Sequence, residues 1–126
     1  MHEYSISEDL IDVILNEANK YNAKIVNLVK IKIDPFINAN PIQLEFCLKY
    51  IAKNTIVENA KFIFDYYDIE LQCKNNHKEF VSFNKNKYND IYSLVVNLSS
   101  KKCASCNELM SIVNKKGVYV ESIDID

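Results

Sequence analysis

The chain has 126 residues, 48% of them apolar and 25% charged, with a net charge of −2, which bounds it at one or two small units with a buried core. Charges of both signs are interspersed, so no basic stripe exists to neutralise phosphates, and nucleic acid is excluded as the main partner. No basic and then apolar leader opens the chain and no run reaches the roughly 18 apolar residues of a membrane span, so a cytoplasmic location without membrane attachment is expected.

Ser5 and Glu8 have the spacing of a capping box, and Leu10, Ile11, Ile14, Ala18 and Tyr21 recur at helical intervals. A helix over residues 6 to 21 follows. Val29, Ile31 and Ile33 then alternate with Lys30 and Lys32, as in a strand open to water on one face, until Asp34 and Pro35 end it. Asn40 is a good N-cap and Pro41 fits the first helical position, where its missing N–H costs nothing. Behind them Leu44, Cys47, Leu48 and Ile51 form an apolar stripe, predicting a second helix to about residue 53. Residues 62 to 71 alternate as one long or bent strand running directly into Cys73, and residues 118 to 125 alternate as a terminal strand. Between them, residues 73 to 116 show little helical periodicity, include a Lys/Asn-rich stretch over 83 to 90, and hold every remaining Cys and His. The order predicts an α+β fold, a small mixed β-sheet covered by two helices, with the last strand returning across an insertion. The main domain is then discontinuous, 1–72 with 117–126, and 73–116 is a zinc-ribbon-like insertion.

Four cysteines in a reducing compartment point to thiols or metal ligands and not to disulfides. Cys103 and Cys106 form a C-x-x-C, while Cys73 and His77 offer a second pair at a looser spacing. Two short pairs brought together by a hairpin are how a small module without a core of its own builds a tetrahedral site, and thiolate with imidazole suits Zn²⁺. The 25 residues between His77 and Cys103 do not exclude the site, because closure entropy grows only logarithmically. Asn76 stands where a second cysteine would complete a C-x-x-C, so two ligand sets remain open. In one His77 is the fourth ligand; in the other the three thiolates act without it. Cys47, on the apolar stripe of the second helix, is expected to pack as a small hydrophobe. Nothing points to catalysis, since there is no glycine-rich phosphate loop and neither histidine is paired with a nucleophile and an orienting acid.

The opening Met1-His2-Glu3-Tyr4-Ser5 resembles that of the HypA/HybF hydrogenase maturation factors. The likeness continues in the family's order and spacing through residues 31 to 33, Leu44-Glu45-Phe46-Cys47, Thr55-Ile56-Val57-Glu58-Asn59-Ala60, the two metal pairs, and the closing Val120-Glu121-Ser122-Ile123-Asp124-Ile125. That resemblance implies a nickel metallochaperone in two parts, a nickel domain formed by the N-terminal portion and last strand, and a zinc domain inserted in it. It implies delivery of Ni²⁺ to the large subunit of NiFe hydrogenase with a HypB-type GTPase as partner, and in some organisms supply of urease. The implied nickel ligands are His2 and Glu3; the implied zinc ligands are Cys73, His77, Cys103 and Cys106. The chain departs from the family's pattern at Asn76, at Asn40, where some members carry a carboxylate, at Asp34, where glycine is usual, and in a long loop without histidines between the metal pairs.

An imidazole, deprotonated main-chain nitrogens and a terminal amine form the kind of tetragonal field that Ni²⁺ accepts. Only the start of a chain offers that set, and an exposed terminus without a closed cage suits transfer better than storage. The rival readings are a zinc-ribbon interaction module whose metal is purely structural, and a divergent family member that has lost nickel delivery. The chain is expected to be a monomer or a homodimer.

Overall fold

The computed structural model describes residues 2–37, 39–83, 91–113 and 117–126, in two compact units. The first comprises Met1–Ile33, Ile37–Asp65 and Gly117–Asp126; the second comprises Asp34–Phe36 and Tyr66–Lys116.

In the first unit, α1 (Glu3–Lys20) starts earlier than its sequence pattern suggests. Ser5 is not the cap. His2 holds that place, its carbonyl accepting from Ile6 N–H at 2.9 Å, while the Ser5 hydroxyl, already inside the first turn, donates back to the same carbonyl at 3.0 Å. Ser7, Leu10, Ile11, Ile14 and Ala18 make the buried stripe. Tyr21, expected to extend it, is the C-cap and is exposed. In β1 (Val26–Ile33) Val26, Val29, Ile31 and Ile33 are buried. Pro41 opens α2 (Pro41–Ile51), and the Asn40 side chain accepts from Ile42 N–H at 2.9 Å and Gln43 N–H at 3.4 Å, satisfying amides that a helix start leaves without partners. The buried Ser7 hydroxyl donates to the Leu44 carbonyl at 3.4 Å, tying α1 to α2. The sheet has the order β2-β1-β6, with β2 at Lys61–Tyr66 and β6 at Val118–Ile125. β6 returns antiparallel to β1, pairing Ile33 with Val118 and Val26 with Ile125.

The single strand expected over 62 to 71 is two strands. Tyr67 and Asp68 separate β2 from β3 (Ile69–Cys73), and β3 belongs to a second sheet, between β4 (Lys78–Val81) and β5 (Met110–Val113), antiparallel to both. The longer segment of the second unit starts at Tyr66, with the expected division at Cys73.

It also contains a helix the sequence pattern did not predict, α3 (Ile91–Leu98). Two turns leave little periodicity to detect, and a run holding Ile91, Val95 and Val96 reads as strand by propensity. Leu94 and Leu98, four residues apart, pack with Ile69, Leu71, Cys73, Cys103 and Met110 into a buried cluster. The second unit thus has an apolar core of its own, contrary to the expectation that metal alone would organise it. The Lys/Asn-rich stretch over 83 to 90 lies outside the described residues apart from Phe83, which packs on that core and stacks edge-on against Tyr66 with ring centroids 4.9 Å apart. Among the described residues no helix is long and apolar enough to cross a membrane.

Candidate metal centres

Two hairpin turns in the second unit carry the four candidate donors. The first joins β3 to β4. Gln72 pairs with Lys78 in the ladder, and Cys73 N–H donates to the His77 carbonyl at 3.1 Å, making Cys73 and His77 the closing pair of a three-residue loop. Asn76 N–H donates to the Cys73 carbonyl at 3.0 Å and Asn76 has φ of 66°, the turn followed by one left-handed residue that closes a hairpin of this length. Closing-pair side chains leave the same face of the ladder. The turn itself therefore makes residue 77, and not 76, the partner of Cys73.

The second turn precedes β5. Lys102 bridges Leu109, Cys103 N–H donates to the Glu108 carbonyl at 2.7 Å, and Asn107 N–H donates to the Cys103 carbonyl at 2.8 Å, with Asn107 left-handed at φ 62°. Here the loop holds four residues, and its third, Cys106, is the one turned back toward Cys103. Ser105 N–H donates to Cys103 Sγ at 3.4 Å.

Together the turns bring Cys73, His77, Cys103 and Cys106 within 4.8 Å of one another by their ligand atoms. His77 Nδ1 is 3.5 Å from Cys73 Sγ and 3.5 Å from Cys103 Sγ, and Cys73 Sγ is 3.7 Å from Cys106 Sγ. A tetrahedral Zn²⁺ at about 2.3 Å from sulfur and about 2.0 Å from nitrogen has sulfur–nitrogen edges of about 3.5 Å and sulfur–sulfur edges of about 3.8 Å. Those three separations are those of a zinc tetrahedron, and every other pair of ligand atoms lies within 4.8 Å, so the donor set fits the ion. Cys73 and Cys103 are buried, Cys106 is half-buried and His77 is exposed. Burial pushes the Cys73 thiol up. Cys106 is pushed down to about 6, first by the Asn75 side-chain hydrogen bond and then by the Glu108 backbone.

Residues that carried no sequence signal surround this cluster. Glu79, on β4, accepts from Ala104 N–H at 2.9 Å and pairs with Lys101 Nζ at 3.0 Å. The amide and then the ammonium hold its carboxyl below the ordinary range. Lys74 and Glu108 add a pair at 3.5 Å between the two turns. These partners depend on hairpin register, which spacing alone does not reveal.

The other expected pair lies in the first unit. His2 is exposed at the N-cap of α1, and Glu3 begins the helix with its carboxylate accepting from Asn40 N–H at 3.2 Å. Among the described residues the Cys/His cluster is the only group of three or more His, Cys, Asp or Glu placed to share an ion, so His2 and Glu3 stand beside one another without such a set. The Asn40 oxygen is committed to capping α2. Asp34 is buried in the second unit and accepts from Phe36 N–H at 2.8 Å. Cys47 is half-buried on α2, apart from the other three cysteines.

Comparisons with known proteins agree along the whole chain. A hydrogenase maturation factor HypA from Methanosarcina acetivorans is 30% identical over all of this chain and 96% of its own length. One from Pyrococcus horikoshii is 27% identical, again over all of this chain and 96% of its own. The fold is that of the solution structure of the Ni metallochaperone HypA from Helicobacter pylori, which is 19% identical, covers 99% of this chain and 97% of that one, and gives a TM-score of 0.63. The model of the family described as hydrogenase/urease nickel incorporation, metallochaperone, matches residues 1–125, and the chain belongs to that HypA family, one of metallochaperones and not of enzymes.

Proposed function

We propose that this protein carries Ni²⁺ to the large subunit of a NiFe hydrogenase in the cytoplasm, acting with a HypB-type GTPase. The observation that carries this reading is the family match across residues 1–125, which includes the Met-His-Glu start. In it His2 supplies an imidazole and main-chain nitrogen to the ion, Glu3 supplies main-chain nitrogen and local negative charge, and Cys73, His77, Cys103 and Cys106 hold a structural zinc. The domain roles follow, with nickel held by the unit that contains α1 and zinc by the unit that contains both hairpin turns.

The chemistry of the terminus supports a carrier. The first-turn amides of a helix have no acceptor four residues back, so coordination by the nitrogens of residues 2 and 3 sacrifices no intrahelical bond. The N-terminal end of a helix also carries partial positive charge, which opposes a dication. A nickel ion held there is balanced by deprotonated nitrogens and by Glu3, and protonation or a better donor releases it. The zinc, when bound, cross-links the two turns and takes no part in transfer.

A nickel titration of the native chain against His2→Ala tests the proposal. Loss of tight nickel binding with zinc content unchanged is the expected result. Tight, stoichiometric binding that survives His2→Ala would sink it.

A further inference from the structure

We propose that Glu79 is a positioning residue for the metal centre, presenting the Cys103–Cys106 turn to Cys73 and His77 before an ion arrives. The inference rests on the reading of those four residues as metal ligands. Each ligand pair is local to its own hairpin, but the pairs are separated by 25 residues of chain. Something must hold one turn against the other if binding is not to bear the whole entropy of closing that loop.

Glu79 is placed to do so. It lies two residues beyond His77 on β4, so it moves with the first turn, and its Oε2 accepts from the amide of Ala104, inside the C-x-x-C of the second turn, at 2.9 Å. Its Oε1 is 3.0 Å from Lys101 Nζ, just before that turn. The Lys101 carbonyl in turn accepts from Met110 N–H at 3.0 Å, where the buried Met110 joins the apolar core. One carboxylate therefore holds the incoming side of the second turn at two points, the Lys101 ammonium ahead of it and the Ala104 amide within it. A charged acceptor on a backbone amide is among the stronger hydrogen bonds available. The β3–β5 ladder, which pairs Cys73 with Met110, registers the strands at the base of the turns but does not reach the loop that carries Cys106, and Lys74–Glu108 joins two exposed side chains and fixes no backbone group.

The test uses the full chain, stripped with chelator and titrated with Co²⁺ and Zn²⁺ against a competing chelator, with amide exchange at Ala104 followed in the metal-free protein. Glu79→Ala is expected to weaken both ions by about tenfold or more, to alter the visible cobalt spectrum and to speed exchange at Ala104. Glu79→Gln, which keeps an oxygen for the amide, is expected to restore the spectrum and most of the affinity, and Lys101→Ala to do less harm than Glu79→Ala. If Glu79→Ala aggregates, Glu79→Ser, too short to reach Ala104, replaces it. Native affinity, spectrum and exchange in the truncated variant would overturn the proposal, as would a Gln variant as damaged as the Ala one. A native chain that takes up neither ion would instead overturn the metal-centre reading, and this inference with it.

Discussion

Cys73 and His77 face each other as the closing pair of the β3–β4 hairpin, bonded from Cys73 N–H to the His77 carbonyl at 3.1 Å, with His77 Nδ1 3.5 Å from Cys73 Sγ. Their pairing is a property of the turn, so it precedes any metal. His77→Ala is expected to lower zinc retention and to shift acid-induced loss to higher pH, since three thiolates lack the fourth donor and a ligand imidazole must be neutral to bind. Zinc content across a pH series checks this; a profile identical to the native one would remove His77 from the ligand set.

Metal removal is expected to loosen the two turns without unfolding the second unit. Ile69, Leu71, Leu94, Leu98 and Met110 are buried against one another, an apolar support that does not depend on coordination. Amide exchange after chelation should rise over residues 74 to 77 and 103 to 107 while staying slow in β3. Leu94→Ala attacks the other support. It empties a fully buried site and is expected to cost about 2–5 kcal/mol, read as unfolding of the second unit at lower denaturant.

In metal-free protein at pH 7, Cys106 is expected to alkylate before Cys73. With its pKa pushed down to about 6, Cys106 is mostly thiolate at that pH, whereas burial pushes Cys73 the other way and also shields it. The rate of Cys106 modification drops as pH falls through 6 and its thiolate is protonated, whereas its preference over Cys73 narrows only as pH rises and Cys73 ionises as well. Mass mapping of the first modified cysteine decides it, and Asn75→Ala should reduce the preference because the leading cause of the shift is the Asn75 side chain.

Asn40→Ala is expected to destabilise the first unit by about 1 kcal/mol through loss of the α2 cap. Asn40→Asp keeps an acceptor for Ile42 and Gln43 and should retain most of the stability, checked by thermal melts of the two variants.

Nickel affinity at the terminus is expected to fall with pH, because every nitrogen donor there must shed a proton to coordinate. An N-terminal tag should weaken it as well, by removing the terminal amine while leaving the imidazole. Glu3→Gln should be milder than His2→Ala. Calorimetry on an untagged and a tagged chain separates position from residue type.

The first unit was largely legible because its elements are long enough to show a period. The alternation from Val29 to Ile33 and the Asn40-Pro41 start both correspond to what the structure places there. Ser5 misled because a serine three residues ahead of a Glu fits a cap equally well when it lies in the first turn. Around the candidate site, the four residues that the structure gathers within 4.8 Å of one another could be singled out by residue type and rough spacing, but Glu79, Lys101 and Glu108 could not. Their roles come from which residue lies opposite which across two hairpins. The break between β2 and β3 escaped for a related reason, as alternation continues on both sides of Tyr67 and Asp68 while the strands join different sheets.

Both ligand turns close through an asparagine in the left-handed region, Asn76 and Asn107, and Asn22 and Asn54 take the same conformation elsewhere. A chain with one glycine has thus given to asparagine the task glycine usually performs at such corners. Unlike glycine, asparagine restricts the unfolded chain, but its side-chain amide can hydrolyse. As the protein ages, the corners that set its donor geometry are therefore also places where new negative charge can appear, so that chemical lifetime, and not folding alone, bears on how long each molecule keeps its sites in register.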